Sequence, residues 1–245
     1  MRKVMILGGA SAIAQETAKL FASEGASLFL TDLDKDRLKA IAGDLTVRGA
    51  EKVDFLAVNA NDLDRHEETL NAAEEAMGGL DAVLIAYGTL SDQEACQQDL
   101  DLTMKEYTTN CISLLSYLHR VANRFEKQGS GCIAAITSVA GDRGRMSNYV
   151  YGAAKGSVSI FLGGLRNRLF KSGVSVVTIK PGFVDTPMTK DYKKGLLWAK
   201  PEAVGMGIYK AMKKGKGVVY LPRFWWLIML VIRNLPGFIF NRMKL

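Results

Sequence analysis

Tyr151 and Lys155 stand four residues apart in the run Tyr-Gly-Ala-Ala-Lys. On a helix that spacing puts both side chains on one face, about one turn apart. An ammonium beside a phenol favours the phenolate and draws its pKa down from about 10 towards neutrality. Such a phenol can give and take a proton at physiological pH. Ser138 follows the apolar run Cys132-Ile-Ala-Ala-Ile-Thr137, which reads as a buried strand. Its hydroxyl is placed to hydrogen-bond a substrate oxygen while Tyr151 transfers a proton to it. Alone, a tyrosine and a lysine one turn apart describe a solvated helix face as well as a site, so the elements around them decide.

Those elements alternate. Apolar, strand-like runs cover 4–7, 27–31, 53–58, 82–86, 132–137, 174–179 and 218–221, and helical patterns cover about 12–24, 35–48, 64–77, 99–127, 149–171 and 201–213. Near-continuous apolar strands alternating with helices predict a parallel sheet of about seven strands covered on both faces. Right-handed crossovers make it doubly wound, a Rossmann-like α/β fold whose ligands bind at the C-terminal strand ends. The chain has 245 residues, enough for one large α/β domain. No linker or repeat breaks it, so residues 1–222 are expected to form the nucleotide-binding domain and 223–245 a separate amphipathic tail.

The first turn, Leu7-Gly-Gly-Ala-Ser-Ala-Ile-Ala14, gives strand, small residues and helix start in the order a dinucleotide site needs. Small residues let the backbone approach the pyrophosphate, and the helix N-terminus offers N–H groups and a positive dipole end. Gly9, Ser11, Ala12 and Ile13 are therefore candidate cofactor contacts. Asp32 ends the second strand, where a carboxylate accepts from the adenosine ribose hydroxyls and repels a 2′-phosphate. NAD(H) is accordingly expected in preference to NADP(H), although Lys35 and Arg37 follow closely. The alternative for Asp32 is a cap on the helix beginning near Lys35.

The three cysteines, Cys96, Cys111 and Cys132, fit no zinc spacing and cannot all pair. Buried thiols in a reducing compartment are expected. His66 and His119 have no companions with metal-ligand spacing, so no metal site is expected. The N-terminal apolar run is too short for a signal-peptide core, which predicts a cytoplasmic catalytic domain. Net charge is +7, with lysines and arginines gathered late in the chain. That asymmetry suits a phosphate-bearing ligand or an anionic membrane surface. No nucleic-acid-binding motif accompanies it.

Together the first turn, Asp32, Ser138, the Tyr151–Lys155 pair and Pro181-Gly182 resemble the short-chain dehydrogenase/reductase family over roughly residues 3 to 222. The resemblance departs in the first turn, which is one residue short of the family's usual pattern, with Gly8 for Thr and Ala14 for the last Gly. It implies hydride transfer to or from a nicotinamide cofactor, with Tyr151 as general acid, Lys155 and Ser138 as its helpers, and Asn110 where the family kinks a long helix and holds a relay water. It further implies that Asn59 and Ala60 lie near the adenine. Ala86-Tyr87-Gly88 replaces the family's Asn-Ala-Gly, giving Ala86 and Gly88, and Pro181, Val184 and Thr186 border the nicotinamide carboxamide. A homodimer or homotetramer through the helices at 99–127 and 149–171 is also implied.

Within that family the chain is most similar to polyprenylphosphoryl 2-keto-pentofuranose reductases. The shared segments are Leu7-Gly-Gly-x-Ser11-x-Ile13, Ser138-Val-Ala-Gly-Asp-Arg-Gly-Arg145, Ser147-Asn-Tyr-Val-Tyr151-Gly-Ala-Ala-Lys155 and Lys180-Pro-Gly-Phe-Val184. The resemblance implies reduction of a lipid-linked keto sugar, the reductase half of an arabinose-type epimerisation, with a flavin oxidase as functional partner. The run 186–198 mixes apolar residues with lysines, as an amphiphile with a phosphate head requires. In the tail, the apolar run from Phe224 to Ile232 is far short of the ~20 residues that span a bilayer. Flanking arginines and the pair Trp225-Trp226 suit a segment lying in the membrane interface on the inner face, and a contact with another subunit is the other reading. Two further functions remain: a reductase of another lipid-like ketone or alcohol (fatty-acyl, sphingoid, sterol or retinoid), and a non-catalytic NAD-binding sensor or scaffold.

Overall fold

Runs rich in Val, Ile, Leu and Ala, bounded by glycines and short polar turns, form the strands: β1 (Lys3–Leu7), β2 (Ser27–Asp32), β3 (Lys52–Ala57), β4 (Ala82–Ile85), β5 (Gly131–Ile136), β6 (Val174–Pro181) and β7 (Val218–Leu221). In the computed structural model, which describes residues 1–243, they pair in parallel in the order β3-β2-β1-β4-β5-β6-β7. The order reverses between β1 and β4, which opens a crevice at their C-terminal ends.

Helices cover both faces because these strands are apolar on both sides. On one face α1 (Ala12–Ser23), α2 (Lys35–Val47) and α8 (Pro201–Lys213) enclose a core that includes Ile6, Leu28, Leu30, Leu84 and Ile179. On the other, α3 (His66–Met77), α6 (Ser113–Gln128) and α7 (Tyr149–Arg168) enclose Met5, Leu7, Val83, Ile85 and Ile133. Each fully buried side chain of this size contributes about 1.5–3 kcal/mol.

The expected helix at 99–127 is two helices. α5 (Leu100–Tyr107) passes through a π-helical turn at Thr108–Ile112 into α6. Asn110 lies within that turn and is fully buried. A short helix, α4 (Gln93–Gln98), precedes them and was not expected. Asp92 caps it by accepting from the Ala95 amide at 2.8 Å.

The C-terminal segment forms α9 (Trp225–Asn234) and α10 (Gly237–Phe240). It is docked on the domain: Trp225 and Met229 bury themselves against Val139. Arg143 fixes the end of α9, donating to the carbonyls of Ile232 at 2.6 Å and Leu235 at 2.7 Å. Its guanidinium also lies 3.8 Å from the centroid of the Phe240 ring. Among the described residues no helix is long and apolar enough to cross a membrane.

Candidate active site

A cavity of about 680 Å³ opens at the C-terminal strand ends, where the strand order reverses. The turn between β1 and α1 forms one wall. Gly8 faces the cavity with φ of +85°, and a Cβ there would stand 2.6 Å from the Tyr87 amide nitrogen, so no side chain fits. Gly9 does not line the cavity: its amide donates to the Thr31 carbonyl at 2.8 Å and its Cα packs on Leu30. Ser11, Ala12 and Ile13 do line it, at the start of α1, where no side chain caps the helix. The first amides of α1 therefore lack intrahelical acceptors and offer an anion site. This cradle fits the pyrophosphate of a dinucleotide.

Asp32 does not cap α2. That task falls to Asp34, which accepts from the Arg37 amide at 3.0 Å. Asp32 instead turns inward, accepting from the amides of Ala10 at 3.0 Å and Leu33 at 2.8 Å. Its carboxylate is thereby fixed on the cavity wall, with lone pairs left for ribose hydroxyls. Asn59 and Ala60 line the same end. The Asn59 carbonyl Oδ1 accepts from the Asn61 amide at 3.0 Å, folding the chain after β3 into a tight turn. The Ala60 carbonyl accepts from His66 Nε2 at 2.9 Å, so the Nδ1 of that buried ring accepts from Ser116. His66 thus serves the scaffold, stacked on Tyr117 at 3.6 Å, and burial pushes its pKa down.

Beyond β4, Ala86 and Gly88 form the floor. A Cβ on Gly88 would stand 2.6 Å from Asn110 Oδ1 and 3.0 Å from Lys155 Nζ. Asn110 lies behind that glycine, fully buried and outside the cavity lining. Its Nδ2 donates to the carbonyls of Thr89 at 3.0 Å and Glu106 at 3.1 Å, and its Oδ1 accepts from the Thr89 amide at 3.2 Å. Asn110 therefore ties the floor to the π-helical turn. Pro181, Val184 and Thr186 form the opposite wall, where Val184 bridges Ala199 and Thr186 starts a turn closed by Thr189.

Ser138, Tyr151 and Lys155 all line the cavity. The segment after Ser138 lies directly on α7, because Gly141 and Gly156 leave their backbones in contact: a Cβ on Gly141 would stand 2.6 Å from the Gly156 nitrogen. Ser138 Oγ accepts from the Ala140 amide at 3.1 Å. Lys155 Nζ donates to the Ile136 carbonyl at 3.4 Å and stands 5.7 Å from the centroid of the Tyr151 ring. The expectation of a near-neutral phenol is corrected here. Burial pushes the Tyr151 phenol up to about 12, against the pull of the neighbouring Ser138 hydroxyl. Burial likewise brings Lys155 down to about 8, opposed by the charges of Cys111 and Glu106. Desolvation penalises each charged form more than the polar neighbours stabilise it.

Several further residues shape this site, and of these only Arg37 was weighed for the cofactor from sequence. Glu106 is buried one helical turn before Asn110, its carboxylate accepting from the Ser91 amide at 3.2 Å. Arg37 reaches the first turn and donates to the Ala10 carbonyl at 2.8 Å. Arg145 and Asn148 line the cavity between Ser138 and Tyr151. Phe183 packs edge-on against Trp225 of α9 at 5.1 Å and stacks on Trp198 at 5.4 Å, so the tail and the 187–198 loop meet over one wall. The cysteines are all buried and free, and burial pushes Cys132 up to about 12. No cluster of potential metal ligands occurs among the described residues.

Comparison with known proteins agrees with this geometry. A family model described as short chain dehydrogenase matches residues 2–196. An uncharacterized oxidoreductase of Mycobacterium tuberculosis is 32% identical over 240 residues, covering 98% of this chain and 96% of that protein. An uncharacterized oxidoreductase of Streptomyces coelicolor is 30% identical over 243 residues, covering 99% and 96%. Another, from Staphylococcus aureus, is 29% identical over 188 residues, covering 77% and 80%.

Proposed function

The chain belongs to the short-chain dehydrogenase family and is an NAD(P)-dependent oxidoreductase; from that premise we propose that it reduces the 2-keto group of a pentofuranose carried on a polyprenyl phosphate. The observation that carries this reading is the mixed character of the loop that continues from the cavity wall at Thr186–Thr189. Met188, Tyr192, Leu196 and Leu197 are exposed in the loop after Thr186, beside Lys190, Lys193 and Lys194, the last of which pairs with Asp185. An apolar surface studded with ammonium groups matches a lipid chain joined through phosphate to a small polar head.

The bound nicotinamide supplies the hydride. The residues of the chain do the rest. Ser138 holds the carbonyl oxygen, and Tyr151 donates its phenolic proton to that oxygen as it gains charge. Burial, by disfavouring the phenolate, holds Tyr151 in the protonated form that can donate. Lys155 balances the charge left on the phenolate and orients the nicotinamide ribose. Asn110 holds the floor against which the proton path is built. Asp32 favours NAD(H), because a 2′-phosphate would meet its carboxylate.

Exposed Trp226, Leu227, Leu230, Val231 and Phe238, with Arg223, Arg233 and Arg242, support a peripheral position on the inner face of a membrane. Exposed Ile160 on α7 supports a homo-oligomer through that helix. A flavin oxidase that forms the keto group is the functional partner this reading calls for. Reduction of another lipid-like ketone would use the same proton donor and apolar loop. Membrane extract incubated with the protein and tritium-labelled NADH decides between them. Label recovered in a polyprenyl-phosphate pentose supports the keto sugar, and label confined to a fatty, sphingoid, sterol or retinoid alcohol refutes it.

A further inference from the structure

Arg145 lies in the segment joining β5 to α7, between Ser138 and Tyr151, and lines the same cavity as both. It is 8% exposed. Among the described residues no carboxylate pairs with it, and its one side-chain hydrogen-bond contact is the weak acceptor Met229 Sδ, 3.4 Å from Nη2. Its Nε is buried with no partner among the described residues. The acid three positions earlier, Asp142, is committed elsewhere: it pairs with Lys180 and accepts from the Tyr220 hydroxyl at 2.7 Å. A guanidinium stays charged in proteins, and burying it unpaired is among the costlier arrangements a fold can hold. Burial already disfavours its charged form here.

Other arginines in this region are satisfied. Arg143 is spent on the carbonyls that end α9. Arg166 donates to the Val176 carbonyl at 2.9 Å and to the Gly217 carbonyl at 2.6 Å. Arg145 alone of these three faces the cavity. Three residues on, Asn148 also lines the cavity, and its side-chain oxygen is sealed from solvent without a donor among the described residues. A cation with no carboxylate partner among the described residues thus lines the same cavity as the proton donor.

We propose that Arg145 forms a substrate subsite, in which the guanidinium pairs with a phosphate ester of the substrate. This deepens the keto-sugar reading and rests on it for the phosphate. The unpaired cation itself demands only an anion, and a planar guanidinium takes phosphate or carboxylate through two parallel hydrogen bonds. The subsite gives the substrate's one phosphate to Arg145 inside the cavity and leaves the lysines of the outer loop to attract that anion as it approaches. It also makes Met229 of α9 the apolar neighbour of that charge.

The test compares three synthetic substrates sharing one 2-keto-pentofuranose: a farnesyl phosphodiester, an uncharged farnesyl glycoside and a farnesyl carboxylate analogue. NADH fluorescence first shows that wild type, Arg145→Met and Arg145→Lys are folded and gives their affinity for the cofactor. The expected result is a kcat/KM preference for the phosphodiester over the uncharged glycoside that falls about 10- to 100-fold in Arg145→Met, through KM, and less in Arg145→Lys. An unchanged preference in Arg145→Met overturns the subsite, as does a loss confined to NADH affinity, which would assign the arginine to the cofactor. An equal preference for the carboxylate analogue overturns the phosphate assignment. If wild type turns over none of the three, the keto-sugar reading fails by itself. The subsite is then decided by inorganic phosphate titrated into NADH-saturated protein, with sodium chloride at matched ionic strength. A phosphate-specific rise in Tm that disappears in Arg145→Met sustains it, and no difference between the two proteins removes it.

Discussion

At the scale of single residues, the chemistry turns on two groups that burial moves in opposite directions. Tyr151→Phe removes the proton donor and leaves the ring in place, so ketone reduction should fall about 10²–10⁴-fold with NADH affinity retained. Activity within several-fold of wild type would remove Tyr151 from the mechanism. The same two groups shape stability. Lys155 is lowered from 10.5 to about 8, so between those values the unfolded chain binds the extra proton and this group's contribution improves as pH rises. Tyr151 is raised from 10.0 to about 12, so its contribution is complete below about pH 10 and is lost as pH climbs towards 12. Denaturation midpoints followed from pH 7 to 12 should show the first trend vanish in Lys155→Met and the second in Tyr151→Phe. For Asp32, the measurement is the KM for each cofactor: NADH should bind more tightly than NADPH, and Asp32→Asn should narrow the gap. A wild-type preference for NADPH would give the Arg37 guanidinium, not the Asp32 carboxylate, control of that end of the cavity.

At the scale of elements, strand ends and helix starts do the positioning, and they do it through backbone contacts that leave no room. Gly88→Ala puts a methyl against Asn110 Oδ1 and Lys155 Nζ. The variant should lose activity by at least about tenfold and stability by about 1–3 kcal/mol, the usual cost of overpacking. Urea denaturation together with a reduction assay checks both, and a stable, fully active protein would show that the floor yields. The strands and α1 were legible because period and composition fix them locally, and Ser138, Tyr151 and Lys155 were legible because all three sit at fixed offsets from those elements. Asn110 was legible as a position, whereas the π-helical turn that buries it was not, since one extra residue in a helix leaves no mark on apolar spacing. Glu106 reads as an ordinary helix-surface acid until the fold sets it against the Ser91 amide and Asn110. Arg145 and Arg37 lie in or near loops, where tertiary contact alone decides whether a charge meets water or a cavity. α4 is too short for a periodic signal, and its Asp92 cap is a single-residue cue.

At the scale of the whole molecule, the tail belongs to the site. The division at residue 222 separates composition, whereas packing joins the two sides: Trp225 lies against Phe183 and Gly182, and Arg143 holds the end of α9. The outward face of the same segment is apolar and flanked by arginines. Flotation with liposomes containing about one-third anionic lipid should therefore carry the protein upward. Neutral liposomes or 0.5 M salt should weaken that, as screening predicts. Equal flotation on neutral and anionic vesicles would leave the arginines without a role, and none on either would turn the apolar face towards another subunit.

The anchoring of α9 by Arg143 has a practical corollary for anyone handling this protein. An affinity handle fused after the last residue hangs from a helix pinned to the very loop that carries the serine. A handle fused ahead of β1 hangs from the opposite end of the sheet. Kinetic constants gathered from the two fusions should disagree, and those from the amino-terminal one should be preferred.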